Sequence, residues 1–245
     1  MIKREKNRIA FFGDSLTAGI PGISFFNILK DRLPDDYLIN YGKGGDTVIS
    51  LYQRIRKLNT DTKFDIAILW IGTNDIFVKV SRIYPIIKTL LSQPWTRNTK
   101  EFTEYYQKIL ELLIQRSQNI FTVTPLFLGE NIDNKWNNDL KKLSEIIELE
   151  SERYKNVKFI NLHDYFTISR SDSNQEYIAR HPSRVLVDVI KFRQRDKVDK
   201  KSMERGLIYT LDGVHLNSRG AELVSDIFYH QINKIIIKNK LSNCS

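Results

Sequence analysis

Three polar residues, one near residue 15 and two close together beyond residue 210, are of the types that acyl-transfer chemistry needs. Ser15 lies between two glycines in the stretch FFGDSLTAG (residues 11–19), directly after a short apolar run. A serine hydroxyl is a poor nucleophile at neutral pH, so it needs a nearby base and an acceptor that orients that base. Asp212 and His215 are spaced so that the carboxylate can bind the Nδ1–H of the imidazole and leave Nε2 facing a serine. The three residues predict a nucleophile, a base and an orienting acid.

Attack on an ester carbonyl creates an oxyanion, and preorganised N–H donors stabilise it. Ser15, after a strand and at the start of a helix, offers its own amide. Gly45 can bring a second amide close because it has no side chain to block the approach. Gly42 and Gly44 are alternatives for that role, but Gly45 directly precedes Asp-Thr and fits best. Asn74 adds a side-chain amide, so three donors predict an oxyanion hole.

The elements that must position these residues follow from hydrophobic patterning. Short apolar runs, rich in β-branched and aromatic residues, predict buried strands at residues 9–12, 37–39, 64–71, 120–123 and 157–162. Apolar stripes at helical spacing lie between them: Phe25, Leu29 and Leu33; Val48, Leu51, Tyr52 and Ile55; Phe102, Tyr106, Ile109 and Leu113; Leu140, Leu143 and Ile147; Val224, Phe228, Ile232 and Ile235. Alternating strands and helices predict a parallel α/β sheet covered on both faces. Ligands bind such sheets beyond the carboxyl ends of the strands, where Ser15 is expected.

Four segments together resemble, in chain order, the signature blocks of the SGNH hydrolases, also called the GDSL family of esterases and lipases. They are Gly-Asp-Ser-Leu at 13–16, the glycine-rich stretch 42–47, Gly-Thr-Asn-Asp at 72–75, and Asp-x-x-His at 212–215. The resemblance implies Ser15 as nucleophile and oxyanion donor, Gly45 and Asn74 as the other donors, His215 as base and Asp212 as its orienting acid. It also implies a flavodoxin-like, three-layer α/β/α sandwich with about five parallel strands, and no metal or organic cofactor.

The chain of 245 residues, 41% of them hydrophobic, is long enough for one large α/β domain. No internal repeat or linker divides it, so we expect a single domain over 1–245. Residues 165–209 interrupt the alternation of strands and helices. Lys and Arg outnumber Asp and Glu there, and hydrophobic periodicity is weak outside 185–190. A connection of this length predicts a basic insert or lid.

The composition limits which binding partners and which cellular compartment are expected. The net charge of +9 is spread along the chain without a dense basic run, so no nucleic-acid partner is expected. Cys244 is the single cysteine, which excludes an intrachain disulfide and a cysteine metal site and favours the reducing cytoplasm. The N-terminus does not resemble a signal peptide, and no apolar run approaches the ~18 residues of a membrane span.

Other polar residues near these motifs have simpler explanations. Asp14, Asp46 and Asp75 are expected to fix their turns through backbone hydrogen bonds. His163, His181 and His230 are assigned to surface or core positions. The glycines at 42–45 complete neither a dinucleotide nor a P-loop motif, and no G-x-S-x-G elbow occurs.

These observations predict a serine esterase that forms an acyl-enzyme. The absence of a long apolar stripe in 165–209 favours small acyl groups on a polar or carbohydrate-like carrier. Two alternatives stay open: an acyltransferase with the same triad, and a non-catalytic module that binds a glycan or another anion. The expected partner is a small-molecule or carbohydrate ester, and the sequence leaves the oligomeric state open.

Overall fold

A five-stranded parallel sheet forms the centre of the protein, in the order β2-β1-β3-β4-β5. The computed structural model describes residues 6–80, 83–90, 92–131, 133–166, 177–178, 187–188, 190–192 and 194–242. The strands are β1 (Arg8–Gly13), β2 (Tyr37–Gly42), β3 (Phe64–Trp70), β4 (Ser117–Val123) and β5 (Val157–Ile160). This strand order is that of flavodoxin-like doubly wound sheets, which confirms the predicted fold class.

Helices cover both faces of the sheet. They are α1 (Ser15–Ala18), α2 (Phe25–Arg32), α3 (Val48–Ile55), α4 (Thr73–Phe77), α5 (Tyr84–Leu90), α6 (Thr99–Ile114), α7 (Lys135–Glu152), α8 (Arg195–Glu204) and α9 (Ser218–Ser242), with a 3₁₀ turn at Leu162–Asp164. The five predicted apolar stripes lie on α2, α3, α6, α7 and α9.

Several strand boundaries differ from the prediction, and those of β2 and β5 have a clear structural reason. β2 continues through Gly42 instead of ending at residue 39, because it pairs with β1 along its whole length. β5 ends at Ile160, and the chain then turns at Leu162, whose amide donates to Thr124 Oγ1 at 2.9 Å. The other three strands contain the predicted residues, apart from Ile71, which follows the end of β3.

Two apolar cores lie on opposite faces of the sheet. On β1, Ile9 and Phe11 belong to one core, while Ala10 and Phe12 belong to the other, as the two-residue period of a strand requires. The first core lies between the sheet and helices α2 and α9. There the ring centroids of Phe25 and Phe228 are 5.2 Å apart in an edge-to-face arrangement, worth about 0.5–1.5 kcal/mol beyond area burial.

The second core lies under α3, α6 and α7. Both faces of the central strands are therefore buried, which explains why these strands are apolar almost throughout. Part of the predicted insert at 165–209 lies outside the described residues, including half of the periodic stretch 185–190. Its described part includes α8. None of the helices in the described ranges is long and apolar enough to cross a membrane.

Candidate active site

Ser15 is the first residue of α1, directly beyond the carboxyl end of β1. The turn is fixed by Asp14, whose Oδ1 accepts a hydrogen bond from Leu16 N at 2.9 Å and caps the helix. The Ser15 side chain lies 3.0 Å from His215, measured from Oγ to Nε2, although the two residues are 200 positions apart. The fold therefore brings the predicted nucleophile and base into hydrogen-bond contact.

His215 is held by Asp212 from its other side. Asp212 Oδ2 lies 2.8 Å from His215 Nδ1. A carboxylate only accepts, so Nδ1 carries the proton and Nε2 is left to accept from the serine hydroxyl. Asp212 Oδ1 meanwhile accepts from the backbone amides of Val214 (3.0 Å) and His215 (2.8 Å). One buried carboxylate thus fixes both the turn and the imidazole.

The electrostatics of this pair favour charge separation. Burial disfavours the imidazolium, but the charge of Asp212 and its hydrogen bond outweigh burial and raise the pKa of His215 above its ordinary value. Burial also opposes ionisation of Asp212, yet His215 lowers the pKa of that carboxyl below its usual range. Asp212 therefore stays ionised, while His215 is a stronger base than a free imidazole.

The three predicted oxyanion donors come from neighbouring loops. Gly45 has a φ of +77°, which a glycine adopts without strain. Within the described residues, the backbone amides of Ser15 and Gly45 make no hydrogen bond. The Asn74 amide nitrogen donates to Asp46 O at 3.0 Å and to Asp14 Oδ2 at 3.2 Å, so it joins the loops that contain Gly45 and Ser15.

Three acids beside these loops are almost fully buried: Asp14, Asp46 and Asp75. Asp14 fixes its own turn as expected, and desolvation raises its pKa to about 7. Asp46 and Asp75 differ from the expectation because their side chains bind other elements. Asp46 pairs with Arg54 on α3 at 2.6 Å. Asp75 accepts from Val48 N at 3.0 Å, and burial raises its pKa to about 6.

A buried lysine beside Gly45 did not emerge from the sequence. Lys88 is 4% exposed; its Nζ donates to the carbonyl oxygen of Gly45 and, at 3.0 Å, to Gln93 Oε1. Burial lowers the pKa of Lys88 despite the carboxylates around it. The usual burial pattern is reversed on α5, because this helix buries Lys88 and exposes Ile86 and Leu90. A lysine inside a mostly apolar run was the only available signal.

The remaining histidines fit the assigned roles where they are described. His163 Nε2 contacts Pro125 O at 2.9 Å, and burial lowers its pKa. His230 lies on α9, and His181 lies outside the described residues. Across the described ranges, no three His, Cys, Asp or Glu side chains are grouped closely enough to hold a metal ion.

A cavity of about 770 Å³ opens next to the helix that begins at Ser15. Gly19 lines it, and the Gly19 amide donates to Ser15 O at 2.8 Å. Apolar walls come from Pro21 and Phe192, while Asp31 adds a carboxylate. This volume lies within the range of small-molecule sites, but Ser15, Asp212 and His215 are not among the described residues that line the cavity.

Comparison with known proteins gives one family and a set of similar structures. Residues 11–223 match the model of the GDSL-like Lipase/Acylhydrolase family. No curated protein matches the sequence. Among solved structures, an acetyl xylan esterase is 22% identical, with a TM-score of 0.60 over 92% of this chain and 99% of that chain.

Two further structures show the same fold. An acetylxylan esterase from Geobacillus stearothermophilus is 17% identical, with a TM-score of 0.60 over 94% of this chain and 96% of that chain. The lipase/acylhydrolase from Enterococcus faecalis is 19% identical, with a TM-score of 0.59 over 92% and 95% of the two chains. At these identities the likeness concerns the fold.

Proposed function

The chain belongs to the GDSL-like lipase/acylhydrolase family, and from this premise we propose that it is a serine esterase that removes small acyl groups from a polar or carbohydrate-like carrier. The observation that carries the proposal is the continuous contact from Asp212 through His215 to Ser15, with distances of 2.8 and 3.0 Å. Hydroxyl, imidazole and carboxylate are then aligned for proton transfer.

The reaction has two halves. Ser15 Oγ attacks the ester carbonyl carbon while its proton passes to His215 Nε2, which gives a tetrahedral oxyanion. The C–O bond to the carrier then breaks, and the carrier oxygen takes the proton from His215. Water repeats the sequence: it attacks the acyl-enzyme, its proton passes to His215 and then to Ser15, and the carboxylic acid leaves. Asp212 stays ionised throughout and stabilises the imidazolium.

The oxyanion is assigned to the backbone amides of Ser15 and Gly45 and to the side chain of Asn74. The two amides are supported by their free N–H groups in the described structure. Asn74 would donate the proton that now points to Asp14 Oδ2, the longer of its two hydrogen bonds. Loss of one such donor lowers turnover about 10²–10³-fold in enzymes of this type.

The choice of substrate is supported by the similar structures. Two of the similar structures are described as acetyl xylan esterases. Acetyl is therefore the proposed acyl group. A cytoplasmic location, inferred from the single cysteine, and the absence of a nucleic-acid partner stay predictions.

Covalent labelling tests the proposal directly. A fluorophosphonate should modify Ser15 alone, as located by peptide mapping. Ser15→Ala should abolish the labelling and lower kcat for p-nitrophenyl acetate by at least about 10⁴-fold, because the nucleophile is gone. Esters with longer acyl chains should be cleaved more slowly than the acetate.

Ser24→Ala is the matched control, because Ser24 caps the neighbouring helix α2 and is proposed to take no part in the chemistry. This variant should be labelled at the wild-type rate. Labelling at another residue, or hydrolysis by the Ser15 variant at the wild-type rate, contradicts the assignment. Addition of acceptor sugars then separates hydrolysis from acyl transfer by the appearance of acylated sugar.

A further inference from the structure

Glu130 is a fully buried acid that the proposed reaction does not use. It lies in the segment between β4 and α7, and its carboxylate accepts four hydrogen bonds from one short stretch of chain. Glu130 Oε2 accepts from Ile208 N at 2.7 Å. Glu130 Oε1 accepts from Tyr209 N, Thr210 N and Thr210 Oγ1, each at 2.8 Å.

These donors immediately precede the acid–base segment that contains Asp212 and His215. A second hydrogen bond joins the same two segments just beyond Asp212, where the Gly129 amide donates to the carbonyl oxygen of Gly213 at 2.6 Å. Within the described residues no Lys or Arg forms an ion pair with Glu130. Burial of a carboxylate is costly unless hydrogen bonds satisfy it, so the N–H groups of 208–210 are its compensation.

The contact between His215 and Ser15 depends on this arrangement. The two residues are 200 positions apart, so their 3.0 Å separation is set by how the acid–base segment is anchored on the sheet. Residues 207–217 contain one isolated antiparallel bridge, between Thr210 and Leu216, and no strand. A carboxylate that accepts three consecutive amides fixes the backbone where a strand neighbour is missing.

We infer that Glu130 is a positioning residue for the reaction: it holds residues 208–210 and thereby sets the distance and angle between His215 and Ser15. The inference rests on the proposed function. Glu130 touches neither the substrate nor the reacting atoms. A displacement of about 1 Å in such a site is enough to cost about 10²-fold in rate.

Glu130→Gln is the first test. The glutamine keeps the shape, but its NH₂ group faces an amide donor, so at least one hydrogen bond becomes a repulsive contact. We expect kcat for p-nitrophenyl acetate to fall about 10²-fold with KM unchanged, because binding is intact and the proton relay is misaligned. The pKa of His215, followed by NMR, should move towards its ordinary value as the contact with Asp212 loosens.

Glu150→Gln is the control for a purely structural effect. Glu150 is also a buried carboxylate, which accepts from Gln107 Nε2 at 3.0 Å and pairs with Arg153. It lies near the end of α7, just before the edge strand β5 begins, whereas Ser15 lies beyond the carboxyl end of the internal strand β1. This variant should lose thermal stability but keep the wild-type kcat and His215 pKa.

Two milder variants decide the matter even if Glu130→Gln does not fold. Thr210→Val removes only the hydroxyl that donates to Glu130, whereas Thr210→Ser keeps it. We expect a several-fold loss of kcat in the valine variant and wild-type kcat in the serine variant, with KM unchanged in both.

The outcomes separate this inference from the proposed function. A wild-type protein that neither hydrolyses esters nor is labelled at Ser15 contradicts the function, and the His215 pKa in the Glu130 and Thr210 variants then judges the inference alone. An active wild type whose Glu130→Gln and Thr210→Val variants keep both kcat and the His215 pKa overturns the inference and leaves the function intact.

Discussion

At the scale of single residues, His215 lies between two oxygen atoms with opposite roles. Asp212 Oδ2 accepts its Nδ1–H, and the Ser15 hydroxyl faces its Nε2. The carboxylate therefore sets both the tautomer and the basicity of the ring. Asp14 makes a similar double connection, since it caps the helix that begins at Ser15 and accepts a hydrogen bond from Asn74. Such shared contacts make the site sensitive to single substitutions.

The pH dependence of kcat/KM follows from the raised pKa of His215. A base must be unprotonated, so kcat/KM should fall as the pH drops through a value above 6.5, the ordinary pKa of histidine. In Asp212→Asn the negative charge is gone while His215 stays buried, so the pKa of His215 should fall. The acidic limb of the kcat/KM profile should then move to lower pH. The asparagine also no longer fixes the correct tautomer of His215, which should lower kcat about 10⁴-fold.

A rate profile of both proteins from acid to mildly alkaline pH checks this prediction. Asp164→Asn is the control, because Asp164 is the carboxylate next to another histidine, His163. This control should leave the limb in place. An acidic limb at the same pH in wild type and Asp212→Asn would remove Asp212 from the proposed role.

At the scale of elements, the helix that begins at Ser15, α1, packs against the end of β2. Asn40 joins them: its Nδ2 donates to Thr17 O at 2.8 Å, and its Oδ1 accepts from Gly42 N at 2.8 Å. A Cβ on Gly42 would lie 2.2 Å from Ala18 N, so only glycine allows this approach. The glycine therefore sets how close α1, and Ser15 with it, comes to the sheet.

Gly42 at the end of β2 and Gly44 in the following loop give a matched pair of variants. Gly42→Ala must displace the α1 backbone, so we expect a loss of stability and a fall in kcat of about 10²-fold from the misplaced Ser15. Gly44→Ala meets no atom within 4 Å and should behave as wild type. Thermal melts and p-nitrophenyl acetate kinetics measure both. Equal losses of stability and kcat in the two variants would contradict a specific role for the close packing of Gly42 against α1.

The elements also show what the sequence could predict. Strands and the long helices were predictable because burial on one or two faces imposes a period of 2 or 3.6 residues. The four motifs were predictable because each is short and follows a strand or precedes a helix. Helix α5 was not, since it buries Lys88 and exposes Ile86 and Leu90 against the usual pattern. Glu130 was not either, because its donors lie 78 to 80 positions away and only the fold brings them together.

At the scale of the whole molecule, one sheet separates two cores that share its strands. Trp70 lies in the core under α2 and α9, and Trp136 packs against the core under α3, α6 and α7. Because each central strand contributes to both cores, neither core can lose its structure without exposing the strands of the other. This coupling supports the prediction of a single domain over 1–245.

Cooperative unfolding follows from this coupling. Trp70→Phe/Trp95→Phe retains Trp136 as the fluorescent reporter, and Trp95→Phe/Trp136→Phe retains Trp70. Within each variant, the urea midpoint of the retained tryptophan should coincide with that of far-UV circular dichroism, as two-state unfolding requires. A fluorescence transition that precedes the circular dichroism transition in either variant would divide the chain into separate units.

The separation of Ser15 and His215 by 200 positions has a consequence for biosynthesis. At about 5–20 residues per second, a ribosome adds His215 about 10–40 s after Ser15. The nascent chain therefore contains the Ser15 hydroxyl well before it contains the imidazole that we propose activates it. Under the proposed mechanism, a nascent chain that has not yet reached His215 lacks the base that ester hydrolysis requires.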